Sequence, residues 1–429
     1  MKQKLCLHGL EVKHQAQLLN LVKRLLPGAT VKYKIKYKTK EKYFKDNDMY
    51  KCRVARFSQA AAPYLRVQCA WGVLLVCDKL LPVADITLEF DARVPEAVAE
   101  AERLVQRFLS SRLKFVLEEP SLSLRIDQLR GCFDQKELAA YDEEEAQSLL
   151  YCHLPWQVYY VNKLWAEVLA KGAERPLMRQ LRVKLRRLRS FLTFCKPLLP
   201  EQEATEWQRV LKERTNLLGD VRECDVLLMT CAKLRDAQGE QAAEQLTAIL
   251  QKRRVSAASK ALKGQKLNKQ TLELAKLLLW LYSAELTESS EQTLEKFLQQ
   301  RFGSWYNKII ALPEKYPDLH DMEQMHRIRI KLKRFRYALQ SIPEVGAEPK
   351  LLRSLKYMQD MLGLLHDNYI NNKLIEALVA KYPKISELRY ESAMFTGWEQ
   401  AKADAALEIL PQQWETFEEL LHDWKAKRL

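Results

Sequence analysis

Residues 179–189 and residues 326–336 carry the same basic helical pattern, with cations at matching positions. Neither copy contains an acidic residue, and the stretches without Asp or Glu extend over residues 175–200 and 324–342. Helices that need only solubility usually mix both signs, because opposite charges four residues apart stabilise a helix and like charges destabilise it. Two acid-free basic helices therefore predict an internally duplicated helical fold and an anionic partner outside the chain.

In each copy the basic side chains form one stripe that borders the apolar face of the helix. By helical periodicity the faces that must be buried consist of Leu181, Leu185, Leu188 and Leu192 in the first copy and Ile328, Leu332, Phe335 and Leu339 in the second. The bordering stripes consist of Arg179, Arg182, Arg186 and Arg189, and of His326, Arg329, Lys333 and Arg336. Such a stripe would line a groove between helices, where phosphate contacts are screened less than on an open surface. The cations expected to point outward into solvent are Lys184, Arg187, Lys331 and Arg334. The alternative is an ordinary basic surface whose acids come from neighbouring helices.

A second repeated element follows each basic helix. Its matching positions are Lys212 and Lys356, Gly219 and Gly363, Arg222 and His366, and the carboxylates Glu223 and Asp367. Glycine inside a helix costs about 1 kcal/mol relative to alanine, so its repetition predicts close helix packing or a local kink. The carboxylates either orient the basic side chains beside them or form ordinary surface pairs.

These motifs resemble those of the CHAD family, the conserved histidine α-helical domain. Its basic helix has the form His-x-x-Arg-[Val/Ile]-x-x-[Arg/Lys]-Arg-x-Arg and precedes a Leu-Gly-x-x-[Arg/His]-Asp segment, and both are repeated. The resemblance covers about residues 145–429. It implies a mainly α fold, a helical bundle of two similar four-helix halves, that binds inorganic polyphosphate in a basic cleft without a cofactor or metal. The binding residues that the resemblance implies are Arg179, Arg182, Arg186, Arg189, Lys212, Arg222, His326, Arg329, Lys333, Arg336, Lys356 and His366. The chain departs from the family pattern at Arg179, where histidine is common, and at Glu223, where aspartate is usual.

Whole-chain composition agrees with a polyanionic partner. The formal net charge is +15, which favours polyphosphate, nucleic acid or an anionic membrane surface. Nucleic-acid binding is the first alternative, but it usually adds aromatic side chains that stack on bases, and the stripes contain almost none. Nine cysteines without C-x-x-C spacing, and no signal peptide at the start of the sequence, predict reduced thiols in the cytoplasm. Polyphosphate binding would place the protein at polyphosphate granules.

The sequence pattern of residues 1–130 predicts a smaller basic α+β domain that precedes the helices. Strands are expected at residues 31–40, 53–57, 64–69 and 86–90, and a helix at residues 95–113. The first strand places five lysines on one face: Lys32, Lys34, Lys36, Lys38 and Lys40. Residues 131–150 form a linker or an entry helix. The helical domain occupies residues 151–429, with halves at about 151–270 and 271–429.

This N-terminal domain is faintly similar to the CYTH domain, a triphosphate-tunnel fold, and it is either a degenerate relative or an unassigned basic module. The Glu-x-Glu-x-Lys signature that holds the catalytic metal is absent, and the nearest candidate contains the single carboxylate of Glu11. Metal-assisted hydrolysis needs clustered carboxylates, so no triphosphatase activity is expected. Motifs for zinc proteases, P-loops and serine hydrolases are also missing. Hydrolysis of polyphosphate or triphosphate that depends on Glu11 or Glu89 is the enzymatic alternative.

Overall fold

The structure is a computed structural model that describes residues 2–38, 49–59, 64–121, 124–126, 128, 145–342 and 348–428. It begins with an antiparallel sheet and continues as a helical bundle. Lys40 and most of the predicted linker at 131–150 lie outside the described residues. None of the helices in these ranges is long and apolar enough to cross a membrane.

The sheet has six strands in the order β2-β3-β4-β5-β1-β6. Its strands are β1 Lys2–Gly9, β2 Thr30–Lys38, β3 Met49–Ser58, β4 Leu65–Val76, β5 Lys79–Asp91 and β6 Phe115–Glu118. Two amphipathic helices accompany it, α1 Gln15–Leu25 and α2 Pro95–Leu109. The predicted strands all form, but the helix predicted to reach residue 113 ends at Leu109. Beyond it the chain turns into β6, and the Ser110 hydroxyl donates to the Gln106 carbonyl at 2.7 Å.

The lysine-rich strand is β2, an edge of the sheet. Lys32, Lys34 and Lys36 lie opposite Arg56, Val54 and Cys52 of β3. Because side chains of paired residues share a face, these lysines project on the side of the sheet away from the α1 and α2 core. Lys32 and Lys34 are exposed.

The helical part of the chain is long and almost continuous. Its helices are α3 Leu154–Lys171, α4 Arg175–Phe194, α5 Glu201–Asn216, α6 Gly219–Gln238, α7 Glu244–Leu262, α8 Leu267–Ser283, α9 Leu294–Ile310, α10 Met322–Ser341, α11 Pro349–Lys381 and α12 Ser386–Arg428. A π-helical turn at Leu149–His153 leads into α3, and a single helical turn at Leu312–Lys315 follows α9.

The helices repeat in two similar halves. In each half a first helix, α3 or α9, is followed by a basic helix, α4 or α10. The long α11 of the second half corresponds to α5 and α6 together, and α12 corresponds to α7. The first-half counterpart of α11 is broken by a turn at Leu217 and Leu218, so that Gly219 begins α6.

One apolar core joins the sheet to the bundle. The short β6 is fixed by polar side chains of the helices: the Leu117 N–H donates to Asn162 Oδ1 at 2.6 Å, and the Thr271 hydroxyl donates to the Phe115 carbonyl at 2.9 Å. A second core joins α6 and α7 to α11 and α12. There the buried carboxylate of Glu391 accepts hydrogen bonds from the first N–H groups of α7. Both halves are therefore held in a fixed relation around the two basic helices.

Candidate anion-binding cleft

The two basic helices, α4 and α10, contact each other, and their apolar faces are buried in the same core. All eight side chains predicted for these faces are buried. Pro176 lies in the first turn of α4, where a backbone N–H would make no hydrogen bond within the helix, so the lack of one in proline costs nothing. Asp321 caps α10 by accepting from the N–H groups of Glu323 at 2.8 Å and Gln324 at 3.2 Å. Both helices thus form as predicted, with their basic stripes along the border of the contact.

The two stripes line one cleft, with a volume of about 540 Å³. Helices α6 and α11 complete its wall. Ten of the twelve predicted residues line it: Arg179, Arg182, Arg186, Arg189, Arg222, His326, Arg329, Lys333, Arg336 and His366. Lys212 and Lys356 do not. They stand two turns before the glycines, where their side chains are exposed outside the cleft.

Positive charge dominates the cleft. Nine arginine and lysine side chains and two histidines line it, against the carboxylates of Glu223 and Asp367. Arg334, which was expected only to be solvated, is exposed at the rim. Arg187 differs from that expectation, because it is partly buried and its Nη2 donates to Gln340 Oε1 at 3.0 Å. The cleft thus holds a large uncompensated charge in a partly buried space.

A contact between two histidines and an arginine organises one end of the cleft. The rings of His326 and His366 stack with centroids 4.3 Å apart and planes 26° from parallel. Arg329 Nη1 lies 3.2 Å from His366 Nδ1 and 3.5 Å from Asp367 Oδ1. Asp367 therefore helps to hold Arg329, as its position after His366 suggested. Burial and the neighbouring His366 disfavour the charged form of His326 and lower its pKa.

The repeated glycines serve different purposes. A Cβ added to Gly363 in α11 would lie 3.3 Å from Arg329 Nη2, so the glycine allows the guanidinium to rest against the helix backbone. A Cβ added to Gly219 would meet nothing within 4 Å, and here the helix is interrupted instead. Close packing of Arg329 explains the glycine at position 363, whereas Gly219 coincides with a break in the helix.

Several buried side-chain nitrogen atoms of the cleft have no hydrogen-bond partner within the described part of the chain. They are the Nε groups of Arg182, Arg186, Arg329 and Arg336 and the Nδ1 atom of His326. The Arg182 side chain is nevertheless fixed, since its Nη1 donates to the Thr215 carbonyl at 2.9 Å. An unpaired buried donor costs about 1–3 kcal/mol. These guanidinium groups are consequently held in place with donor capacity left for an added acceptor.

Burial and mutual repulsion disfavour the charged forms of the cleft cations. Burial, with the nearby charges of Arg329 and Arg186, lowers the pKa of Lys333 to about 7. Burial and the charges of Arg186 and Arg222 lower the pKa of Arg182 to about 10. The pKa of His326 falls to about 4, because of burial and the neighbouring His366, Arg329 and Lys333. The unliganded cleft is electrostatically strained, and an anion would relieve that strain.

Family comparison agrees with this geometry. The model of the family described as CHAD domain matches residues 161–376, which is half of the chain. The chain belongs to the CHAD family. The match includes both basic helices and both glycine segments that suggested the resemblance.

Two solved structures share the CHAD fold of this chain. PptA from Streptomyces chartreusis aligns with a TM-score of 0.50 and 19% identity, covering 63% of this chain and 99% of that one. The crystal structure of the CHAD domain from the plant Ricinus communis aligns with a TM-score of 0.50 and 23% identity, covering 62% and 89%. No curated protein matches the chain. The predicted mainly α bundle with two similar halves is confirmed.

Sequence reasoning missed polar residues that complete the CHAD cleft. Ser190, Thr215, Asn216, Tyr337 and Asn371 also line it. The last two project from the same helices as the predicted cations, one position beyond the stripe of α10 and five positions after His366. A search of those faces for neutral hydrogen-bonding groups would have found them.

The N-terminal carboxylates are arranged differently. Glu11 forms an ion pair with Lys114 at 2.7 Å, and Glu89 lies 4.0 Å from both Lys4 and Arg66. Glu89 pairs with Lys4 across the sheet, so Glu11 stands about seven residues further along, roughly 20 Å away at the rise of a strand. Within the described ranges, no three His, Cys, Asp or Glu side chains are grouped so that they could hold a metal ion.

Proposed function

We propose that this CHAD protein binds inorganic polyphosphate in the cleft between α4 and α10. The observation that carries the proposal is the set of buried arginine Nε donors that have no partner among the described residues, in a cleft lined by eleven basic side chains. Phosphoryl oxygens are strong acceptors, and arginine forks bind them in two-point, charge-assisted contacts. A polyphosphate chain offers such oxygens at every unit, so it would satisfy many donors at once.

The shape of the site also favours a linear polyanion without bases. Among the residues that line the cleft, the aromatic side chains other than histidine amount to Tyr337, which is buried. Single-stranded nucleic acids usually gain part of their affinity from bases stacked on exposed aromatic rings. An electrostatic groove without such rings supports a partner that is phosphate throughout. Nucleic-acid binding is therefore an outcome to be tested and is not the function proposed.

The test is a titration with long-chain polyphosphate at fixed ionic strength. The variant Arg182→Gln/Arg329→Gln removes one stripe arginine from each half, and Arg353→Gln/Arg389→Gln removes two exposed arginines outside the cleft. The cleft variant should lose at least tenfold in affinity, since each charge-assisted contact contributes about 1 kcal/mol or more. The control should bind as the wild type does. Equal affinities of the two variants would show that the cleft is not the binding site.

We further propose that the protein binds polyphosphate without hydrolysing it. Hydrolysis of phosphoric anhydrides in proteins commonly relies on carboxylates that hold Mg²⁺ or Mn²⁺ beside the substrate. Glu11 and Glu89 stand roughly 20 Å apart and have basic neighbours instead of each other. Their separation supports a binding role for the protein.

The proposed cellular consequence is retention of the protein on polyphosphate granules in the cytoplasm. A fluorescent fusion of the wild type should collect on granules, and the fusion carrying Arg182→Gln/Arg329→Gln should be diffuse. Granule association of both fusions would mean that another surface, for example the lysine face of β2, mediates it.

A further inference from the structure

A second basic cavity opens next to the cleft, between α9, α10 and the C-terminal end of α4. Its volume is about 210 Å³, and its wall includes Thr193, Arg301, Trp305, Lys308, Lys331 and Arg334. None of the described residues that line it is acidic. We call it the side cavity. Three of its cations, Arg301, Lys308 and Lys331, do not line the cleft.

The side cavity and the cleft share a residue. Arg334 of α10 lines both of them. Arg334 also stands close enough to the cleft residue Arg189 that its charge, after burial, contributes to lowering the pKa of Arg189. Positive charge is thus continuous from the cleft, over Arg189 and Arg334, into the side cavity.

Arg301 is fixed in the side cavity by the end of α4. Its Nε donates to the Phe194 carbonyl at 2.8 Å, and its Nη2 donates to the Thr193 carbonyl at 2.7 Å. The guanidinium lies 5.3 Å from the ring centroid of Trp305. Carbonyl groups orient the side chain but do not neutralise it, and no carboxylate in the described ranges forms an ion pair with Arg301, Lys308, Lys331 or Arg334. Among the described residues, this group of cations therefore has no paired counter-charge.

The opposite end of the cleft is different. A cavity there shares Arg179 and Arg222 with the cleft, but its wall contains the carboxylate of Asp225. Asp225 Oδ1 lies 2.5 Å from Arg254 Nε and 3.3 Å from Arg175 Nε. That cavity also has Arg175, Lys184 and Arg187 in its wall, but the Asp225 carboxylate pairs with Arg175 and would compete with a phosphoryl group for it. The described wall of the side cavity contains no carboxylate, so the side cavity is the better continuation of the cleft.

We propose that the side cavity is a second phosphoryl subsite, occupied by linear polyphosphate chains long enough to leave the cleft over Arg334. The proposal rests on the proposed function and adds that the side cavity determines a preference for long polyphosphate chains. A short chain fills the cleft alone. A longer chain engages the side cavity as an intramolecular second contact, which raises affinity without changing the cleft.

The experiment compares tripolyphosphate with long-chain polyphosphate on full-length protein. The test variant is Lys308→Gln/Lys331→Gln. The matched control is Lys381→Gln/Lys384→Gln, which removes two lysines outside these cavities. Lys381 lies 5.6 Å from the ring centroid of Tyr382, and Lys331 lies 5.7 Å from that of Tyr316, so both variants remove a lysine that contacts a tyrosine. Circular dichroism and thermal unfolding verify that each variant is folded.

The test variant should bind long chains about tenfold more weakly, the loss expected for two ion pairs of near-surface type. Its affinity for tripolyphosphate should stay within about twofold, and the control should match the wild type with both ligands. The slope of log affinity against log salt for the long chain should also become shallower by about 1.5, because two fewer phosphoryl charges are neutralised by lysine.

Equal losses for both chain lengths would overturn the proposal, because they would indicate a general field effect instead of a subsite. Unchanged long-chain affinity would overturn it while leaving the cleft proposal intact. A wild type that binds neither ligand would refute the proposed function itself, and the subsite with it.

Discussion

Lys333 should make polyphosphate affinity depend on pH between 7 and 9. In the free protein the pKa of this lysine is about 7, because burial and the charges of Arg329 and Arg186 disfavour its ammonium form. The other charged groups facing it are Arg336 and the carboxylate of Asp367, which is ionised in this range, and His326 is neutral there because its pKa is about 4. Phosphoryl oxygens in contact with Lys333 would restore its pKa towards the ordinary value of about 10.4.

The sign and size follow from proton linkage. Above pH 7 the free protein has lost the Lys333 proton and the complex has retained it, so binding takes up one proton and affinity falls as the pH rises. With those two pKa values the fall from pH 7 to pH 9 is about fifty-fold, or about 2 kcal/mol. The ligand contributes little, since each internal phosphoryl group of a long polyphosphate chain has a single, strongly acidic proton that is already lost at pH 7.

Isothermal titration in two buffers of different ionisation enthalpy measures both the affinity and the proton uptake. The matched variant is Lys333→Arg, whose guanidinium stays charged and should give a nearly flat profile between pH 7 and 9. Lys333→Met should bind at pH 7 more weakly than the wild type does even at pH 9, because the wild-type complex still holds the Lys333 proton at pH 9. Parallel profiles for the wild type and Lys333→Arg would refute the reasoning, since the proton would then come from another group.

Three further predictions concern single positions. Gly363→Ala should weaken polyphosphate binding by displacing Arg329, although its higher helix propensity adds up to about 1 kcal/mol of stability, and Gly219→Ala should leave affinity unchanged. Titration measures the affinities and thermal unfolding measures the stabilities. Equal losses of affinity in the two variants would contradict the packing argument. Lys333→Met should raise the Tm of the unliganded protein, most at and below pH 7 and least near pH 10. The reason is that the lowered pKa of Lys333 opposes folding only at pH values where the lysine is charged in the unfolded chain. A gain in Tm that is constant with pH would contradict this prediction. Wild-type protein with Mg²⁺ or Mn²⁺ should release no phosphate from tripolyphosphate, and release that disappears in Glu89→Gln would establish the enzymatic alternative.

The sequence was sufficient for the helices and for most of the cleft. The apolar period fixes which face of α4 and α10 is buried, and the stripe beside it then has to lie at the helix contact. The duplication adds the second wall. Because both arguments depend only on local spacing, they located eight residues of one cleft that are up to 157 positions apart in sequence, from Arg179 to Arg336, and the resemblance to the CHAD family added Arg222 and His366.

Features that depend on how distant helices meet could not be predicted. Lys212 and Lys356 share a helical face with the glycines, but spacing along one helix does not tell where the neighbouring helix ends. The side cavity combines α9 with the last carbonyls of α4, a contact between residues 107 positions apart. The four-residue β6 has too little pattern to be recognised and is held by Asn162 and Thr271 of the bundle.

Direct competition between two polyanions tests the identity of the partner. Protein saturated with fluorescent long-chain polyphosphate is titrated with single-stranded RNA of equal total charge, at an ionic strength near 0.15 M and pH 7. A cleft that is specific for phosphoryl groups without nucleosides should retain the polyphosphate against a large excess of RNA. Displacement at equal charge concentration would contradict polyphosphate specificity and would assign the cleft to polyanions in general.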